Sequence, residues 1–235
     1  GRQVIIAGDS QQLQPFDLYQ PRWEEEGSED PDEEATSLLD LGSRYLLEVG
    51  LHGHYRSLMP ELIQFSNQHF YKGRLQLLPD RQRINEPAPA IEYVKVKGKW
   101  ISNTNKEEAE KVVSLVRELT ASDPSKEIGV ITFNAPQQEL IQDLLEPSAA
   151  TEAWKVPGSL LVKNIENVQG DERDIIIFSI GYAKDKSGKL RMQFGSLNMA
   201  GGENRLNVAV TRARQKIIIV ASIDPEDLKV DETIN

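Results

Sequence analysis

Three arginines close together near the C-terminal end are the residues of this chain best suited to chemistry. Arg205, Arg212 and Arg214 lie in the sequence Arg-Leu-Asn-Val-Ala-Val-Thr-Arg-Ala-Arg, just ahead of an apolar run at residues 216–221. A guanidinium group is always charged, and its planar fork matches two oxygens of a phosphate group. We therefore predict a basic helix on which Arg205 supports Arg212, with Arg214 turned aside into a structural ion pair. The spacing alone also allows a surface helix with three solvated arginines.

Four further blocks of polar and glycine residues precede this stretch. They are Gly-Asp-Ser-Gln-Gln-Leu-Gln-Pro from residue 8, His-Tyr-Arg-Ser from residue 54, Ile-Gly-Val-Ile-Thr-Phe-Asn-Ala-Pro-Gln-Gln from residue 128 and Asn-Val-Gln-Gly-Asp-Glu-Arg-Asp from residue 167. With the arginine-rich stretch, they resemble in order the signature motifs of superfamily 1 helicases, in particular the branch that contains the nonsense-mediated-decay helicase. The resemblance implies a RecA-like fold and a motor driven by ATP.

The resemblance also implies that the chain contributes to an ATP site between two RecA-like domains. Arg56 and Arg212 match the two family arginines that reach the γ-phosphate, where positive charge stabilises phosphoryl transfer. Gln12 matches the glutamine that senses this phosphate and links it to the nucleic-acid site, because an amide can donate and accept hydrogen bonds at once. These three are the candidate catalytic residues. The alternative for Arg56 is a salt bridge to a nearby carboxylate.

Three other residues match positions that hold the nucleotide. Gly170 would let the backbone pass close to it, because glycine has no side chain. Glu172 matches the glutamate that binds the ribose hydroxyls, and a solvated loop glutamate is the alternative. Asp9 is expected to support the loop that carries Gln12. The implied cofactors are ATP and Mg²⁺, bound mainly by a first motor domain.

Contacts to single-stranded DNA or RNA are implied at three positions, Thr132 and Gln138 in the fourth motif and Asn164 before the fifth. The family usually has Thr or Ser at the position of Asn164 and an aromatic residue at the position of Asn134. Both departures retain hydrogen-bonding groups, but they change the contacts that we expect with the nucleic-acid backbone.

The spacing of apolar residues predicts alternating strands and helices around these motifs. The predicted strands are residues 3–7, 45–51, 91–96, 127–132, 159–162, 174–180 and 216–221, and the predicted helices are residues 36–44, 58–70, 105–121 and 136–145. Continuous Ile and Val runs that alternate with amphipathic helices indicate the α/β class, with a mostly parallel sheet covered by helices on both faces. The motifs lie at strand ends and helix starts, and ligands of such sheets gather at the carboxyl edge.

The net charge of −10 argues at first against a nucleic-acid partner, because phosphate binding depends on Lys and Arg. The excess is local, since residues 24–34 hold eight carboxylates and read as a solvated acidic loop. Without these eight, the 37 acidic residues fall to 29, against 27 basic ones. Net charge therefore does not decide between partners.

The composition bears on several other classes of site. The absence of cysteine excludes disulfides and thiolate zinc sites, and three histidines disfavour a metal cluster. No apolar run approaches the roughly 18 residues of a membrane span, and no leader sequence is recognisable. We expect an intracellular protein without membrane contact and without metal ligands of its own.

The phosphate-binding pattern Gly-x-x-x-x-Gly-Lys-Ser/Thr does not occur in the sequence. No Asp-Glu pair that could hold magnesium stands ahead of Gly8 either. We expect residues 1–44 to be the end of a first motor domain, residues 45–222 the second RecA-like domain and residues 223–235 a tail. The fold would thus be that of a P-loop NTPase without its own P-loop. The chain alone is then not expected to hydrolyse ATP, and the first motor domain of the same parent chain would be its partner.

Two functional classes follow from these observations. The first is the C-terminal motor domain of an ATP-dependent helicase, an NTP hydrolase of the branch expected to move 5′ to 3′. The second is a non-catalytic module that binds nucleic acid or protein and derives from a helicase. The set of Gln12, Arg56, Glu172 and Arg212 argues against the second class, because such a module has no use for residues that face a phosphate. A nuclease finds no support, since no Asp…Glu-x-Lys constellation is present.

Overall fold

A computed structural model describes residues 3–12, 37–78, 89–151, 154–184, 187–190, 194–199 and 201–228 of the chain. The predicted acidic loop at residues 24–34 lies outside these ranges, as does most of the predicted tail. The strands are β1 (Gly53–His54), β2 (Gln76–Leu77), β3 (Ile91–Lys95), β4 (Ile128–Thr132), β5 (Leu161–Asn164), β6 (Arg173–Ser179) and β7 (Ala213–Ala221). The helices are α1 (Leu38–Tyr45), α2 (Pro60–His69), α3 (Lys106–Ser122), α4 (Ala135–Thr151) and α5 (Gly202–Val210).

Five of these strands form one parallel sheet in the order β3-β7-β6-β4-β5, and β1 pairs with β2 in a separate parallel pair. The strands of the large sheet are rich in Ile and Val, and every residue of β4 is buried. Such continuous apolar strands are typical of a parallel sheet that is covered on both faces. The predicted fold class is therefore confirmed.

Helices cover the two faces of the sheet in pairs. Along β6, Ile175 and Ile177 face the core beneath α3 and α4, whereas Ile176 and Phe178 face the core beneath α2 and α5. This alternation follows from the two-residue period of a strand, which sends successive side chains to opposite faces. Both cores are apolar, so the sheet is fixed between two helical layers.

The helix starts follow the capping residues in the sequence. The hydroxyl of Ser37 accepts a hydrogen bond from the backbone N–H of Asp40 at 3.0 Å and caps the start of α1. The side-chain oxygen of Asn105 accepts from the N–H of Glu108 at 3.2 Å and begins α3. Pro60 occupies the first turn of α2, where its missing N–H costs nothing.

Two predicted strands are wrong. Residues 3–7 form no strand, and Val4 and Ile5 are 68% and 81% exposed. Residues 46–51 are also irregular, with Leu47 93% exposed, while Tyr45 ends α1. A strand needs a neighbour that satisfies its backbone groups, and none pairs with these segments in the described part of the chain. The predicted strand at 159–162 begins later, at Leu161, because a turn precedes it.

The predicted basic helix is also wrong in its extent. Helix α5 ends at Val210, so Arg212 lies in the turn after it and Arg214 is the second residue of β7. The hydroxyl of Thr211 donates to the carbonyl of Val208 at 3.0 Å and closes the last turn. Arg205 is buried within α5 and donates to the carbonyl of Ser196, so it does not share a helix face with Arg212.

A carboxylate is buried at the carboxyl edge of the large sheet. Glu108, in the first turn of α3, is completely buried. Its oxygens accept hydrogen bonds from the N–H of Gly181 at 2.7 Å and from the amide of Asn105 at 3.0 Å. Burial nevertheless dominates and raises the pKa of Glu108 from its ordinary 4.5 to about 7. The residue joins the start of α3 to the loop that follows β6.

This raised pKa predicts a specific pH dependence of stability. The folded chain holds the proton of Glu108 more tightly than the unfolded chain, so its contribution to stability falls as pH rises from about 4.5 to about 7. Glu108→Gln cannot ionise and should lose this decline. Relative to wild type, the free energy of unfolding of Glu108→Gln should rise by about 2 kcal/mol between pH 5 and pH 7.5 in urea titrations.

The matched control is Glu110→Gln, which changes an exposed carboxylate on the same helix. Its pH profile should follow that of the wild type. Parallel profiles for Glu108→Gln and wild type would contradict the assignment of the decline to Glu108.

Candidate active site

The charged residues predicted to contact the nucleotide gather at the amino edge of the large sheet. Glu172 directly precedes β6, and Arg212 directly precedes β7, next to β6 in the sheet. The segment that carries Arg56 is held at this edge, because the N–H of Leu58 donates to the carbonyl of Arg214 at 2.8 Å. The expectation that these motifs meet at the carboxyl edge is therefore wrong for the arginines. Glu172 and Arg212 precede β6 and β7, which are adjacent and parallel, so both residues lie at the amino edge.

Arg56 and Glu172 form an ion pair in which Nε of the arginine donates to Oε2 of the carboxylate at 2.6 Å. This is the alternative that the sequence leaves open for Arg56. The hydrogen bond from Arg56 and its charge hold the pKa of Glu172 below its ordinary value. The side chains remain 24% and 40% exposed, and ion pairs at such positions contribute little to stability, about 0–1 kcal/mol. The pair can therefore exchange partners at low cost.

Arg214 connects Glu172 to the other carboxylates of the amino edge. Its guanidinium lies 3.6 Å from Oε1 of Glu172 and 3.2 Å from Oδ1 of Asp174, and it also pairs with Glu127. Asp174 in turn accepts from the N–H of Glu127 at 3.0 Å. These contacts confirm the structural ion pair predicted for Arg214.

Arg212 is buried and is held mainly by backbone carbonyls. Its Nε donates to the carbonyl of Val208 at 2.9 Å, and one Nη donates to that of Asp171 at 3.4 Å. Burial, followed by the nearby charge of Arg56, lowers the pKa of Arg212 to about 10, so it stays charged at neutral pH. Among the described residues, no carboxylate forms an ion pair with Arg212. The charges of Glu172 and Asp171 favour the charged form of Arg212, but burial and Arg56 outweigh them. A buried cation without a direct ion pair is costly, and a bound anion would relieve that cost.

A cleft of about 190 Å³ lies beside Arg56. Two of the predicted catalytic residues, Gln12 and Arg56, line it together with Asp9, Tyr71 and Thr211, whereas Arg212, the residue after Thr211, does not line it. The structure thus brings the loop of Gln12 to the same cleft as Arg56. The amide of Gln12 donates to Oδ2 of Asp9 at 2.9 Å, in line with the support predicted from Asp9.

Gly170 lies in the turn between the short 3₁₀ helix Ile165–Asn167 and β6. Its φ of +88° falls in the left-handed region that favours glycine. No atom lies within 4 Å of the position that a β-carbon would occupy, so the space beside its backbone is open. This openness is compatible with the predicted approach of a ligand.

Three residues in or near the cleft have roles that the sequence does not indicate. Tyr71 and Asn207 fix the loop of Gln12, through contacts between segments far apart in the chain. His54 accepts a hydrogen bond from the N–H of Ser57 at 3.1 Å and so shapes the turn that presents Arg56. Burial and the charge of Arg56 lower the pKa of His54. His54 and Asn207 stand within the quoted motifs and Tyr71 does not, but the roles of all three depend on tertiary contacts that a sequence pattern does not give.

The residues predicted to contact nucleic acid lie at the opposite edge of the sheet. Thr132 and Asn164 end β4 and β5 and pair with each other in register. Thr132 is fully buried, and its hydroxyl donates to the carbonyl of Asn134 at 2.8 Å. The amide of Gln138 donates to the carbonyl of Val162 at 3.1 Å. These three side chains shape the loops at this edge, and their contact with nucleic acid stays a prediction.

The amide oxygen of Asn164 is also used within the chain. It accepts hydrogen bonds from the N–H of Glu166 at 3.0 Å and the amide of Asn167 at 3.2 Å. Across the described ranges, no group of three or more His, Asp or Glu residues could hold a metal ion. Within the same ranges, no helix is long and apolar enough to cross a membrane.

Comparison with known proteins agrees with the motifs. The family model described as "AAA domain" matches residues 36–224. An uncharacterized ATP-dependent helicase of Mycoplasma pneumoniae is 38% identical over 92% of this chain and 20% of its own length. A similarly named protein of Mycoplasma genitalium is 37% identical over 95% of the chain and 21% of its own length. The regulator of nonsense transcripts 1 homolog of Drosophila melanogaster is 30% identical over 94% of the chain and 19% of its own length.

The chain thus spans about a fifth of the length of these curated relatives. The family match covers the large sheet and the helices α1 to α5. On this evidence the chain belongs to the AAA domain family, within the superfamily 1 helicases of the nonsense-mediated-decay branch.

Proposed function

We propose that residues 45–222 are the second RecA-like motor domain of an ATP-dependent helicase. Residues 1–44 would then complete a first motor domain, and residues 223–235 would form a tail. The observation that carries the proposal is the pair of arginines at one edge of the sheet. Arg212 is buried there without a carboxylate partner among the described residues, and Arg56 is close enough to lower its pKa.

The two arginines would hold the γ-phosphate of ATP in the parent protein. Phosphoryl transfer spreads negative charge over the phosphate oxygens, so preorganised guanidinium groups stabilise it. Arg212 is fixed by backbone carbonyls, whereas Arg56 would move from Glu172 to phosphate. Arg214 supports this exchange, because it remains beside Glu172 and neutralises the carboxylate after Arg56 leaves.

Gln12, Gly170 and Glu172 would complete the chain's part of the nucleotide site. The Gln12 amide would contact the γ-phosphate, Gly170 would allow close backbone approach, and Glu172 would contact the ribose. The described residues offer donors that suit phosphate but no carboxylate cluster that suits Mg²⁺. Mg²⁺, which neutralises phosphate charge in such reactions, would therefore be held mainly by the first motor domain.

Single-stranded DNA or RNA would cross the carboxyl edge of the sheet, near Thr132, Gln138 and Asn164. This places the two ligands at opposite edges of the same sheet. Strand β6, with seven residues, spans roughly 20 Å between them. Coupling between ATP and nucleic acid would then depend on movement of the domain as a body.

The alternative function is a non-catalytic module that binds nucleic acid or protein. It does not account for Arg212, which is buried at the edge of the sheet that carries the cleft and forms no ion pair with a carboxylate among the described residues. Such a cation is costly unless an anion binds beside it, and a protein-binding module supplies none. A nucleic-acid-binding module has phosphates, but the residues predicted to contact nucleic acid lie at the opposite edge of the sheet. We therefore favour the motor domain.

Arg212→Ala tests this proposal in the full-length protein that contains the chain. Loss of an arginine that contacts the transferred phosphate should lower nucleic-acid-stimulated ATP hydrolysis by on the order of 10³-fold. Arg212→Lys should also be impaired, because an ammonium group lacks the planar fork. Arg74→Ala removes an exposed arginine outside the cleft and should retain wild-type turnover. Turnover of Arg212→Ala within a few-fold of wild type would exclude the assigned role.

A second prediction concerns the 235-residue chain by itself. It should show negligible ATP hydrolysis even with saturating single-stranded nucleic acid, because the phosphate-binding lysine and the magnesium ligands are not in its sequence. A phosphate-release assay with the purified chain, alongside the full-length protein as positive control, measures this. Turnover above one tenth of the full-length rate would contradict the division of the active site.

A further inference from the structure

The hydroxyl of Tyr71 joins two segments of the candidate site that are far apart in the sequence. It donates to Oδ2 of Asp9 at 2.8 Å and accepts from the amide of Asn207 at 3.2 Å. Asp9 belongs to the loop of Gln12, Asn207 lies on α5, and Tyr71 follows the end of α2. One oxygen atom thus connects three elements around the cleft.

Within the described ranges, the loop of Gln12 pairs with no strand, and its position depends on such contacts. Asp9 accepts hydrogen bonds from the Gln12 amide and from the N–H of Gln11, both at 2.9 Å. These two bonds fix the conformation of the turn. The amide of Asn207 donates to the carbonyl of Gln11 at 2.8 Å, and that of Asn204 donates to Ser10 at 3.4 Å. Helix α5 and Tyr71 therefore hold the turn against the large sheet.

The same helix positions Arg212. Asn207 is next to Val208, whose carbonyl accepts the hydrogen bond from Nε of Arg212 at 2.9 Å. Asn207 is 1% exposed, so its side chain cannot turn away to solvent. A displacement of the Gln12 loop would act on the last turn of α5, and hence on the arginine beside it.

The chemistry of Tyr71 suits this connection. Its hydroxyl can donate to a carboxylate and accept from an amide at the same time, which a phenylalanine ring cannot do. Burial, together with the neighbouring carboxylate of Asp9, raises the pKa of Tyr71 to about 12. The hydroxyl therefore keeps its proton, and with it the hydrogen bond to Asp9, at any physiological pH.

We infer that Tyr71 is a positioning residue that couples the γ-phosphate-sensing loop of Gln12 to the helix that ends at Arg212. This inference rests on the proposed function and adds a residue to it. Tyr71 itself need not touch the nucleotide. Its role is to make the placement of Gln12 and of Arg212 depend on each other.

Tyr71→Phe in the full-length protein is the direct test. The variant loses one hydrogen bond to a charged group and keeps the ring, so the kcat of nucleic-acid-stimulated ATP hydrolysis should fall about tenfold. The KM for ATP should stay within about twofold, because the arginines remain. Tyr93→Phe is the matched control, since that hydroxyl donates to the carbonyl of Ile223 at the other edge of the sheet. It should retain the wild-type kcat.

The Gln12→Ala background separates coupling from a general structural effect. If Tyr71 acts through the Gln12 loop, Tyr71→Phe should lower kcat less than twofold further in a Gln12→Ala protein. A residue that merely stabilises the fold would lower kcat by the same factor in both backgrounds. Asn207→Ala removes the partner on α5 and also its hydrogen bond to Gln11, so it should lower kcat at least as much as Tyr71→Phe. Adding Tyr71→Phe to Asn207→Ala should lower kcat less than twofold further.

The outcomes distinguish this inference from the proposed function. If Gln12→Ala and Arg212→Ala lower turnover but Tyr71→Phe stays within twofold of wild type, the coupling is refuted and the motor assignment stands. Equal losses from Tyr71→Phe in both backgrounds also refute the coupling. If neither Gln12→Ala nor Arg212→Ala lowers turnover, the proposed function fails and the coupling fails with it. Urea midpoints of Tyr71→Phe and Tyr93→Phe establish that both proteins are folded.

Discussion

The parallel pairing of β6 with β7 is the constraint on which the candidate site depends. Its register sets Arg173 beside Ala213, so that Glu172 and Arg212, which precede those residues, start at the same edge. Parallel strands cannot be joined by a tight turn, and the long connection between these two includes α5. The helix that completes this crossover also carries Asn207 and ends next to Arg212. The topology therefore brings the carboxylate of Glu172, the guanidinium of Arg212 and the end of α5 to the same edge of the sheet.

The two edges of the sheet carry buried groups of opposite charge. At the amino edge, burial lowers the pKa of Arg212 only to about 10, which leaves it fully charged. At the carboxyl edge, burial raises the pKa of Glu108 to about 7, close to neutral pH. Desolvation favours the neutral form in both cases, but only the carboxyl group is brought into the physiological range. The amino edge thus keeps a fixed positive charge, whereas the carboxyl edge contains a buried group that can titrate.

The sequence predicts an element correctly where the element's own apolar pattern is enough to define it, and fails where the element needs a partner from elsewhere in the chain. Strands β4 and β6 and helix α3 were predicted within about two residues, because their apolar patterns identify both element and buried face. Residues 3–7 and 46–51 also have strand-forming residues, but strand formation depends on a partner, and a sequence pattern does not supply one.

The same limit applies to the candidate site. The motifs identified Gln12, Arg56 and Arg212, and the structure places the first two in one cleft and the third at the same edge of the sheet. The Val-Ala-Val-Thr run is compatible with either helix or strand, so the end of α5 could not be located from it. Tyr71 could not be found at all, because a single tyrosine after a helix acquires a role only from what packs against it.

The two arginines differ in a way that suggests a division of labour between them. Arg212 donates to backbone carbonyls and is 4% exposed, so its position is set by the fold. Arg56 is bound to a half-exposed carboxylate, an interaction that solvent weakens and that another anion can replace. A guanidinium group stabilises negative charge on a phosphate best when its position is already fixed. A side chain that changes partner when a ligand binds must have two partners of similar energy. In the proposed motor domain, Arg212 would therefore stabilise the phosphate, and Arg56 would respond to its presence.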